Sequence, residues 1–342
     1  MVLGVAGSSP VFHPLQWQLI LQHYDVPQPA TLTPVGGTAS PNLRVDVSWG
    51  SFILRRRPPA MAEPDFIRFD HALRSHLADR GFPAPRPVPT RTGDTWVVVE
   101  GETYELAPLL PGTMVPVPDI DMLLNVGKRL AVFHRLAGAF HHPGKDRFVR
   151  EDHPSILIPL VEELAGTTKS PRERDEFTRI GGEIDALAGL WTARPITTIL
   201  HGDFHPGNVL FDANRVSALL DYDYAAPGPT TRDLGDALVF FAARRNSPFD
   251  PNDIRSLTQV WHMDDDRARA LLRGYASVRP LPTDLEILRD LMRSRWLQVK
   301  LRGSRKVPRE QKADFVLTDL WPPIDWLKTQ SVPWFQRLIK SL

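Results

Sequence analysis

The spacing of apolar residues predicts strands in the first third of the chain and helices in most of the remainder. After a short amphipathic helix over residues 14–24, apolar and polar residues alternate with a period of two over residues 43–47, and another strand is predicted over residues 51–55. Alternate side chains of a strand face opposite sides of a sheet, which is why this period indicates strands. Residues 31–42 are predicted to form a strand, a glycine turn and a returning strand.

Helical spacing first appears between residues 65 and 80, where apolar residues recur every three or four positions. Gly81 and Pro83 follow this segment, and both residue types end helices. Two further strands are predicted over residues 95–100 and 102–106. The first part of the chain is therefore predicted to be a small sheet with one long helix.

A change of pattern at Leu109 to Gly112 predicts two domains, residues 1–110 and residues 111–342. Helical spacing dominates the second domain, and a short β-rich insert with a turn at residues 212–215 interrupts it. The predicted elements of this domain are helices over residues 119–140, 156–165, 171–191, 286–302 and from about 234 onward, and strands over residues 209–211 and 216–220. The fold class is therefore α+β, with a small β-rich N-terminal lobe and a larger helical C-terminal lobe.

Composition narrows the class of protein without identifying it. Among 342 residues, 42% are hydrophobic and 24% are charged, as in ordinary soluble globular proteins. The formal net charge of +1 gives no electrostatic reason to expect nucleic acid or a membrane surface as partner. The absence of cysteine excludes disulfides, thiolate metal sites and cysteine nucleophiles. No secretory signal or membrane-spanning run is predicted, so the expected location is the cytoplasm, and the oligomeric state is left open.

Candidate chemistry is concentrated in the segment His201 to Asn208, which reads HGDFHPGN, and in Asp221, which follows thirteen residues later. Phosphoryl transfer from a nucleotide needs one carboxylate to orient or deprotonate the attacking hydroxyl and two oxygen ligands to hold Mg²⁺. Asp203, Asn208 and Asp221 supply that set, and the segment has the spacing of the kinase catalytic loop, H-R-D followed by four residues and N. His201 and His205 are four residues apart, but glycine and proline in the segment preclude the regular helix that would make them a metal pair.

Six segments, in the same order along the chain, resemble the aminoglycoside phosphotransferase-like kinases, a family that also includes choline kinase and a type of homoserine kinase. They are Gly36 to Asn42, Phe52 to Arg55, Leu110 to Gly112, His201 to Asn208, Leu219 to Asp223 and Arg232 to Leu234. The resemblance implies a two-lobed protein-kinase-like fold and transfer of the γ-phosphate of ATP, with GTP not excluded, to the hydroxyl group of a small molecule. It spans residues from about 31 to 240, and the last hundred residues contain no motif that aligns securely.

Within that resemblance, Asp203 is the expected catalytic base, and orienting the hydroxyl is the larger part of its expected role. Asn208 and Asp221 are the expected Mg²⁺ ligands. Tyr222 and Asp223 follow Asp221 where protein kinases have Phe-Gly. Asp223 is a candidate for contact with a metal-bound water or with the substrate.

Two residues near the motif are expected to support the loop and not to take part in the chemistry. The resemblance implies that His201 holds the loop backbone. It also implies that Asp233 fastens the loop from the helix that follows it, as a kinase aspartate does. His134, on an apolar helix, is expected to be a core residue.

The expected nucleotide site begins with Gly36, Gly37 and Thr38, where the absence of bulky side chains lets backbone N–H groups approach phosphates. A plain diglycine hairpin is the alternative. The proline-rich segment at the domain boundary is the candidate hinge. There Pro108 would offer its carbonyl and Leu110 its N–H to adenine, and a simple turn between the lobes is the alternative.

Arg55 occupies the strand position at which protein kinases have a phosphate-binding lysine, and an arginine stays charged and can bind two oxygens. The neighbouring Arg56 and Arg57 leave the register open by one or two residues. Asp70 lies near the place of the helix glutamate that pairs with this cation. It is a candidate partner for Arg55, and a surface aspartate is the alternative.

The substrate is expected to lie against the C-terminal helices. From Pro251 onward there are about 17 lysines and arginines against about 11 aspartates and glutamates. A basic region suits a neutral or anionic alcohol, such as a homoserine-like amino acid or a sugar, better than a polycationic aminoglycoside, which is the alternative acceptor. The helix predicted over residues 286–302 carries Arg289, Arg293 and Arg295. One of these three arginines is expected to bind a carboxylate, with Arg293 as the named candidate, and a solvated helix face is the alternative.

Two further classes of protein share the implied fold. A catalytically silent nucleotide-binding scaffold is disfavoured because all three catalytic side chains are present, although Arg55 and Asp70 depart from the kinase pattern. A protein kinase is disfavoured because the short stretch between Asp221 and Asp233 has no room for an extended activation segment.

Overall fold

A computed structural model describes residues 14–27, 31–35, 42–142, 153–168, 170–191 and 198–342. The chain forms two compact units that divide between Pro111 and Gly112, here termed the first and the second unit. Gly36, Gly37 and Thr38 lie outside the described residues, so the glycine turn stays a prediction. Across the described part of the chain, no helix combines the length and the apolar character needed to cross a membrane.

The first unit is built on one antiparallel sheet. Its elements are α1 (Pro14–Leu21), β1 (Thr31–Val35), β2 (Asn42–Val47), β3 (Gly50–Arg56), α2 (Pro64–Ala78), β4 (Val97–Val99) and β5 (Glu102–Pro108). The strand order is β1-β2-β3-β5-β4. Helix α2 begins where the Glu63 side chain accepts hydrogen bonds from the N–H groups of Asp65 and Phe66, and a proline occupies its first position.

Alternation along β2 and β3 builds one face of the core of the first unit. Leu43 lies opposite Leu54 in the antiparallel register and Val45 lies opposite Phe52, and all four side chains are buried. Burial of each such side chain contributes about 1.5–3 kcal/mol. A slip by one residue would expose all four, so their burial fixes the register. The same alternation places Arg55 on the opposite face of β3.

The second unit is mainly helical, with short strands around the candidate catalytic loop. Its helices are α3 (Ile120–Gly138), α4 (Pro154–Thr167), α5 (Pro171–Ala186), α6 (Thr231–Ala237), continued by a π-helical turn (Leu238–Ala242), α7 (Arg255–Thr258), α8 (Asp265–Ala276), α9 (Leu285–Gly303), α10 (Lys312–Leu317), α11 (Trp321–Thr329) and α12 (Ser331–Lys340). Its strands are β6 (Thr113–Met114), β7 (Thr198–Leu200), β8 (Val209–Asp212), β9 (Arg215–Leu219), β10 (Ala226–Gly228), β11 (Arg244–Arg245) and β12 (Trp261–His262). Strands β6, β8 and β9 form one antiparallel sheet, β7 pairs with β10, and β11 pairs with β12.

Helices α3 and α8 pack backbone against backbone through two glycines. A Cβ atom added to Gly127 of α3 would lie 1.9 Å from the carbonyl oxygen of Leu271, and one added to Gly274 of α8 would lie 1.9 Å from that of Leu124. No side chain fits at either position, so the glycines set the separation of the two helices. The close approach also brings the ring of His134 on α3 to within 3.0 Å of a tyrosine hydroxyl on α8.

Helices with sustained apolar spacing lie close to their predicted bounds. The helix predicted over residues 65–80 is α2, and the one predicted over residues 119–140 is α3. The helix predicted over residues 171–191 is divided, because α5 ends at Ala186 and a 3₁₀ turn covers residues 188–191. The strand pairs β7–β10 and β11–β12 are absent from the prediction. Their strands are two or three residues long, so tertiary pairing and not periodicity defines them.

Candidate active site

The candidate catalytic loop, residues 201–208, lies between β7 and β8. Gly202 has a φ of +81°, and a Cβ atom there would lie 2.2 Å from the carbonyl oxygen of Tyr224, so conformation and space both require glycine. The loop ends in a short 3₁₀ turn, where Nδ1 of His205 accepts a hydrogen bond from the Gly207 N–H at 3.1 Å. Local residue types therefore determine the shape of the loop.

Asp233, the third residue of α6, fastens this loop. Its Oδ2 accepts a hydrogen bond from the His201 N–H at 2.7 Å, and its Oδ1 accepts one from the Gly202 N–H at 3.0 Å. Nε2 of His134 lies 3.1 Å from Oδ2, and both side chains are fully buried. Burial alone would raise the pKa of Asp233, but the hydrogen bond and charge of His134 and the contacts of His201 lower it to about 2. A buried, charged carboxylate thus ties the loop backbone to α6.

His201 uses both ring nitrogens to hold backbone groups. Nε2 donates to the carbonyl oxygen of Leu220 at 2.9 Å, and Nδ1 accepts a hydrogen bond from the Asp203 N–H at 3.4 Å. Burial lowers the pKa of His201 below its usual value, which favours this neutral form. Because both nitrogens are occupied, the ring is not available as a metal ligand, and its contacts are those of a loop support.

Asp203 is held on both carboxylate oxygens. Nη2 of Arg295 donates to Oδ1 at 2.6 Å, and Nε2 of His205 lies 3.3 Å from Oδ2. Nδ2 of Asn208 donates to the backbone oxygen of Asp203 at 2.9 Å and to Oδ2 at 3.4 Å. Burial by itself would raise the pKa of Asp203, but the charges and hydrogen bonds of His205 and Arg295 hold it far below its usual range. The carboxylate is therefore ionised at physiological pH, and 22% of the side chain is exposed.

The hairpin of β8 and β9 brings Asn208 next to Asp221. Asn208 precedes β8, and its carbonyl oxygen accepts a hydrogen bond from the Leu220 N–H at 2.8 Å. Asp221 has a left-handed backbone, with a φ of +60°, and its Oδ1 accepts a hydrogen bond from the Asp223 N–H at 3.4 Å. Because the amide nitrogen of Asn208 binds Asp203, its amide oxygen is the atom left to act as an acceptor or ligand. An amide oxygen and a carboxylate are ligands that Mg²⁺ accepts, so this donor set fits the predicted metal site.

The charges of three aspartates in this region act on one neighbouring phenol group, that of Tyr224. Burial, together with the negative charges of Asp203, Asp221 and Asp223, raises the pKa of Tyr224 to about 12. Charges act strongly over short distances, so these three carboxylates lie close to one phenol group. The structure thus brings Asp203, Asn208 and Asp221 together.

Arg295, on α9, is a functional candidate that the sequence offers only as one of three arginines on this helix, and as a partner of the substrate, not of Asp203. Its side chain is 4% exposed, and besides Asp203 it contacts Gln298 and Asp236. Nη1 donates to Oε1 of Gln298 at 2.5 Å, and Nε lies 3.5 Å from Oδ2 of Asp236. The guanidinium also lies 5.2 Å from the ring centroid of Phe240. Asp203 lies 92 residues earlier in the chain, so no local pattern connects the two residues.

Arg293, the predicted substrate residue, binds carboxylates within the protein. It forms an ion pair with Glu183 of α5 and another with Asp290 at 2.9 Å. Successive helix residues are rotated by about 100°, so Arg293 and Arg295 lie on nearly opposite sides of α9. Helical geometry alone predicts that the two arginines lie on different sides of the helix. It does not predict which of these sides faces the catalytic loop.

Asp70 is a predicted partner of Arg55, but in the structure it pairs with two other arginines. It binds Arg57 at 2.6 Å and Arg74 at 3.0 Å. Arg55 lies opposite Glu105 in the ladder of β3 and β5, with 3.8 Å between Nη1 and Oε1. Arg57 lies two residues after Arg55, just beyond the end of β3, so its side chain points to the same side of the extended chain. The expected pair of arginine and aspartate is therefore present, with Arg57 in the place predicted for Arg55.

Arg57, Asp70, Arg74 and Glu105 form a buried charge cluster in the first unit. Glu105 binds Arg57 at 2.7 Å, Arg74 at 3.0 Å and Nε2 of His71 at 2.6 Å. Burial would raise the pKa of both carboxyl groups, but Arg74 and Arg57 lower both values. Asp70, His71 and Glu105 are close enough together to hold a metal ion. The two arginines already neutralise the carboxylates, so we interpret the cluster as structural.

The candidate hinge residues lie at the end of the sheet of the first unit. Pro108 ends β5, and the N–H of Leu109 donates to the carbonyl oxygen of Ser51 at 2.9 Å. Leu110 follows and is partly buried. A hinge that binds adenine and a plain turn would both have these contacts, so the role in nucleotide binding stays a prediction.

The chain matches a family of known proteins and is similar in sequence to homoserine kinases. A family model described as the phosphotransferase enzyme family matches residues 31–281. A homoserine kinase from Caulobacter vibrioides (strain NA1000 / CB15N) is 28% identical over 282 residues, covering 81% of this chain and 82% of the relative. A homoserine kinase from Rhizobium rhizogenes (strain K84 / ATCC BAA-868) is 28% identical over 334 residues, covering 92% of this chain and 86% of the relative.

Solved structures of similar fold include an amicoumacin kinase, a spectinomycin phosphotransferase and an aminopropanol kinase. Amicoumacin kinase hAmiN in complex with AMP-PNP, Ca²⁺ and Ami has a TM-score of 0.68 at 15% identity, with 92% of each chain covered. Spectinomycin phosphotransferase APH(9)-Ia in complex with ADP and spectinomycin has a TM-score of 0.64 at 16% identity, covering 93% of this chain and 99% of the other. The microcompartment-associated aminopropanol kinase has a TM-score of 0.64 at 18% identity, covering 92% and 98%. These similarities confirm the predicted α+β, protein-kinase-like fold.

Proposed function

The chain belongs to the phosphotransferase enzyme family, and we propose that it transfers the γ-phosphate of ATP to a hydroxyl group of a small molecule in a Mg²⁺-dependent reaction. Relatives named homoserine kinase and similar structures named amicoumacin kinase and aminopropanol kinase support this class of reaction. The observation that carries the proposal is the convergence of Asp203, Asn208 and Asp221 on one loop and one hairpin.

Asp203 is proposed to hold the attacking hydroxyl group. Its Oδ1 accepts a short hydrogen bond from Arg295, whereas the contacts of Oδ2 are longer, with His205 at 3.3 Å and Asn208 at 3.4 Å, so Oδ2 is the oxygen that we expect to accept a hydrogen bond from the hydroxyl. A carboxylate with such a low pKa is a weak base, so it chiefly orients the hydroxyl and takes the proton late, as the new bond forms. This order suits a loose transition state, in which the hydroxyl needs little activation before the bond to the leaving group lengthens.

Asn208 and Asp221 are proposed to hold Mg²⁺, which when bound neutralises charge on the phosphates of the nucleotide. The Asn208 side chain then has two roles. Its amide nitrogen fixes Asp203, and its amide oxygen is available to the metal. One side chain would therefore set the spacing between the base and the metal site.

ATP is the proposed phosphate donor, because the similar structures include proteins in complex with AMP-PNP and with ADP. Its proposed contacts are the backbone of residues 36–38, the carbonyl of Pro108, the N–H of Leu110 and the side chain of Arg55. Arg55 is better suited to phosphates than Arg57, because its side chain is 18% exposed whereas that of Arg57 is 1% exposed and bound by two carboxylates.

A neutral or anionic alcohol, such as a homoserine-like amino acid or a sugar, is the proposed acceptor. The relatives named homoserine kinase and the basic balance of the C-terminal region favour it. An aminoglycoside or another antibiotic is the second candidate, because spectinomycin phosphotransferase has a similar fold. A catalytically silent scaffold is less well supported, because the hydrogen bonds that position Asp203 are complete.

The test is phosphotransfer by the purified protein with ATP and Mg²⁺ against a library of hydroxy amino acids, sugars, choline analogues and antibiotics, followed as ADP formation. Asp203→Asn keeps the shape of the side chain and removes its charge, so turnover should fall by about 10²–10⁴-fold while nucleotide affinity stays within about twofold. Asp212→Asn, at the exposed end of β8, is the matched control and should keep full activity.

Two outcomes would contradict the proposal in different ways. An Asp203→Asn variant as active as the unchanged protein would remove Asp203 from the mechanism. ADP formation no faster than background with every alcohol would instead favour the silent scaffold.

A further inference from the structure

The second unit contains a cavity of about 150 Å³ beside the segment that runs from the π-helical turn to α7. Its walls include three phenylalanines, Phe240, Phe241 and Phe249, and three arginines, Arg244, Arg245 and Arg267. Among the described residues that line it there is no aspartate or glutamate. The cavity is therefore both apolar and positively charged.

Arg245, on β11, has no carboxylate partner in the part of the chain that the structure describes. Its Nη2 donates to the carbonyl oxygen of Val239 at 2.9 Å, and its guanidinium lies 5.5 Å from the ring centroid of Phe240. Its Nε is buried and makes no hydrogen bond. Burial lowers the pKa of Arg245 to about 10. A neutral carbonyl does not compensate a positive charge that is largely removed from water, so Arg245 is suited to bind an anion.

Arg267, on α8, repeats the pattern from a second element. It is 6% exposed, and its two terminal nitrogens donate to the carbonyl oxygens of Pro118 at 2.8 Å and Phe241 at 2.7 Å. Its Nε is also buried without a hydrogen bond. Arg244 differs, since it binds Asp264 at 2.5 Å and its side chain is 65% exposed. One part-buried and one buried guanidinium, both with neutral partners, therefore line the same cavity.

Two aromatic rings connect the cavity to the catalytic loop. Phe240 and Phe249 line the cavity, and their ring centroids lie 6.2 Å and 5.6 Å from that of His205. Nε2 of His205 in turn lies 3.3 Å from Oδ2 of Asp203. His205 thus contacts both the rings that line the cavity and the carboxylate of Asp203, so the cavity lies beside the catalytic loop.

We propose that this cavity binds the anionic end of the acceptor, a carboxylate or phosphate group on the molecule that presents its hydroxyl to Asp203. This inference rests on the proposed function. Arg245 and Arg267 supply charge and unused donors, and Phe240 and Phe249 contact the carbon skeleton. Sites for drug-sized ligands are roughly 300–1,000 Å³, so this cavity suits a smaller molecule. Its size and its charge both disfavour a polycationic aminoglycoside.

Acceptors in matched pairs test the proposal without any substitution. Each hydroxy acid, such as homoserine, glycerate or a sugar acid, is compared with its amide, which keeps the hydroxyl group and the shape but loses the charge. We expect kcat/KM for the acid to exceed that for the amide by about 10- to 100-fold, the usual size of a charge-assisted hydrogen bond. Equal values for acid and amide would overturn the proposal.

The substitution Arg245→Gln tests whether Arg245 binds the anionic group of the acceptor. The KM for the preferred acid should rise about 10- to 100-fold with little change in kcat, whereas the KM for its amide and for ATP should not change. Arg245→Lys keeps the charge and should recover part of the affinity. Arg269→Gln, two residues beyond Arg267 on α8 and paired with the exposed Asp266, is the matched control and should behave as the unchanged protein. An unchanged KM in an Arg245→Gln protein with a native circular dichroism spectrum would overturn the role of Arg245.

Binding of inorganic phosphate separates this inference from the proposed function. With a non-hydrolysable ATP analogue saturating the nucleotide site, calorimetry should show phosphate binding that is at least about tenfold weaker in Arg245→Gln. If no alcohol consumes ATP but phosphate still binds through Arg245, the kinase proposal fails and the anion site stands. If alcohols are phosphorylated but phosphate binds both proteins equally or neither, the anion site is wrong and the kinase proposal stands. Should Arg245→Gln not fold, the comparison of acids with amides decides.

Discussion

The carboxylate of Asp203 has partners from two distant parts of the second unit. His205 and Asn208 come from its own loop, and Arg295 comes from α9. These contacts keep the group ionised and limit its strength as a base. Orientation of the hydroxyl, rather than early removal of its proton, is the role that this environment favours.

Substitution of Arg295 should slow turnover without weakening nucleotide binding. Arg295→Met keeps much of the packing against Phe240 but removes the cation beside Asp203, so the pKa of Asp203 rises and its position loosens. We expect kcat to fall about 10- to 100-fold and the acidic limb of the pH–kcat profile to move to higher pH. Steady-state kinetics at a series of pH values measures both effects.

Two other variants separate charge from packing at this site. Arg295→Lys should restore the acidic limb but not the full kcat, because lysine has no planar fork to bind Asp203 and Gln298 together. Arg289→Met removes an arginine of the same helix that pairs with Asp290 at 2.8 Å, and it should leave the profile unchanged. A profile for Arg295→Met that matches the unchanged protein would show that Arg295 does not control the acidity of Asp203.

At the scale of residues, the sequence identifies groups that act within a short stretch, but not their distant partners. Asp203 and Asn208 are five residues apart, so chemistry and spacing were enough to propose them. Arg295 lies 92 residues from Asp203, and the partner of Asp70 depends on a register shift of two residues along β3. Only packing in three dimensions decides such pairs.

At the scale of elements, the contact of α3 with α8 gives a sharp prediction. Gly127→Ala would place a methyl group against a backbone carbonyl that cannot move alone, so the two helices must separate. We expect the free energy of unfolding to fall by about 2–4 kcal/mol, and Gly274→Ala should have a similar effect. Urea denaturation followed by circular dichroism measures the change.

The same substitution elsewhere serves as the control. Gly182 lies on an exposed position of α5 with no atom within 4 Å of an added Cβ. Gly182→Ala should therefore raise the free energy of unfolding by about 0.5–1 kcal/mol, because alanine favours the helix. If Gly127→Ala unfolded at the same urea concentration as the unchanged protein, the close approach would not constrain these helices.

The elements that the sequence predicted share a physical property. Helices α2, α3 and α9 have many turns, and each turn repeats the apolar spacing, so the signal accumulates along the helix. Strands β11 and β12 have two residues each, too few for any period. The π-helical turn at Leu238–Ala242 is fully buried, and its extra residue per turn leaves no mark in the apolar pattern.

At the scale of the whole molecule, the pH dependence of stability should reflect Asp233. Its pKa in the folded protein is about 2, below the ordinary value of 3.8, so the unfolded chain takes up the proton first as the pH falls. The stability from the charged form is therefore complete above about pH 4 and is lost as the pH falls toward 2, a loss of roughly 2 kcal/mol.

Comparison with Asp233→Asn isolates this contribution from those of other acidic groups. The variant should be less stable than the unchanged protein at pH 5, and the difference should shrink by roughly 2 kcal/mol on acidification, as measured by urea unfolding. Asp212→Asn, which removes an exposed carboxylate, should follow the unchanged protein at every pH. A difference that stays constant with pH would mean that Asp233 is not ionised in the folded state.

The fold class could be predicted because strand and helix patterns occupy separate parts of the chain, and the similar structures confirm it. The buried charge networks could not be predicted from the sequence. Arg57 and Arg74 enclose Asp70 and Glu105, yet arginine and glutamate are residue types that the sequence alone assigns to the surface. Their burial follows from the way separate elements meet, which no single segment encodes.

Arg295, which binds Asp203 of the catalytic loop, lies on α9, whereas the match to the family model ends at residue 281. Two proteins with identical motifs could therefore differ in the pH at which they work best, because a helix that follows all of the motifs supplies the counter-charge. A chimaera that exchanges the region after residue 281 between relatives would then transfer its donor's pH optimum along with that helix.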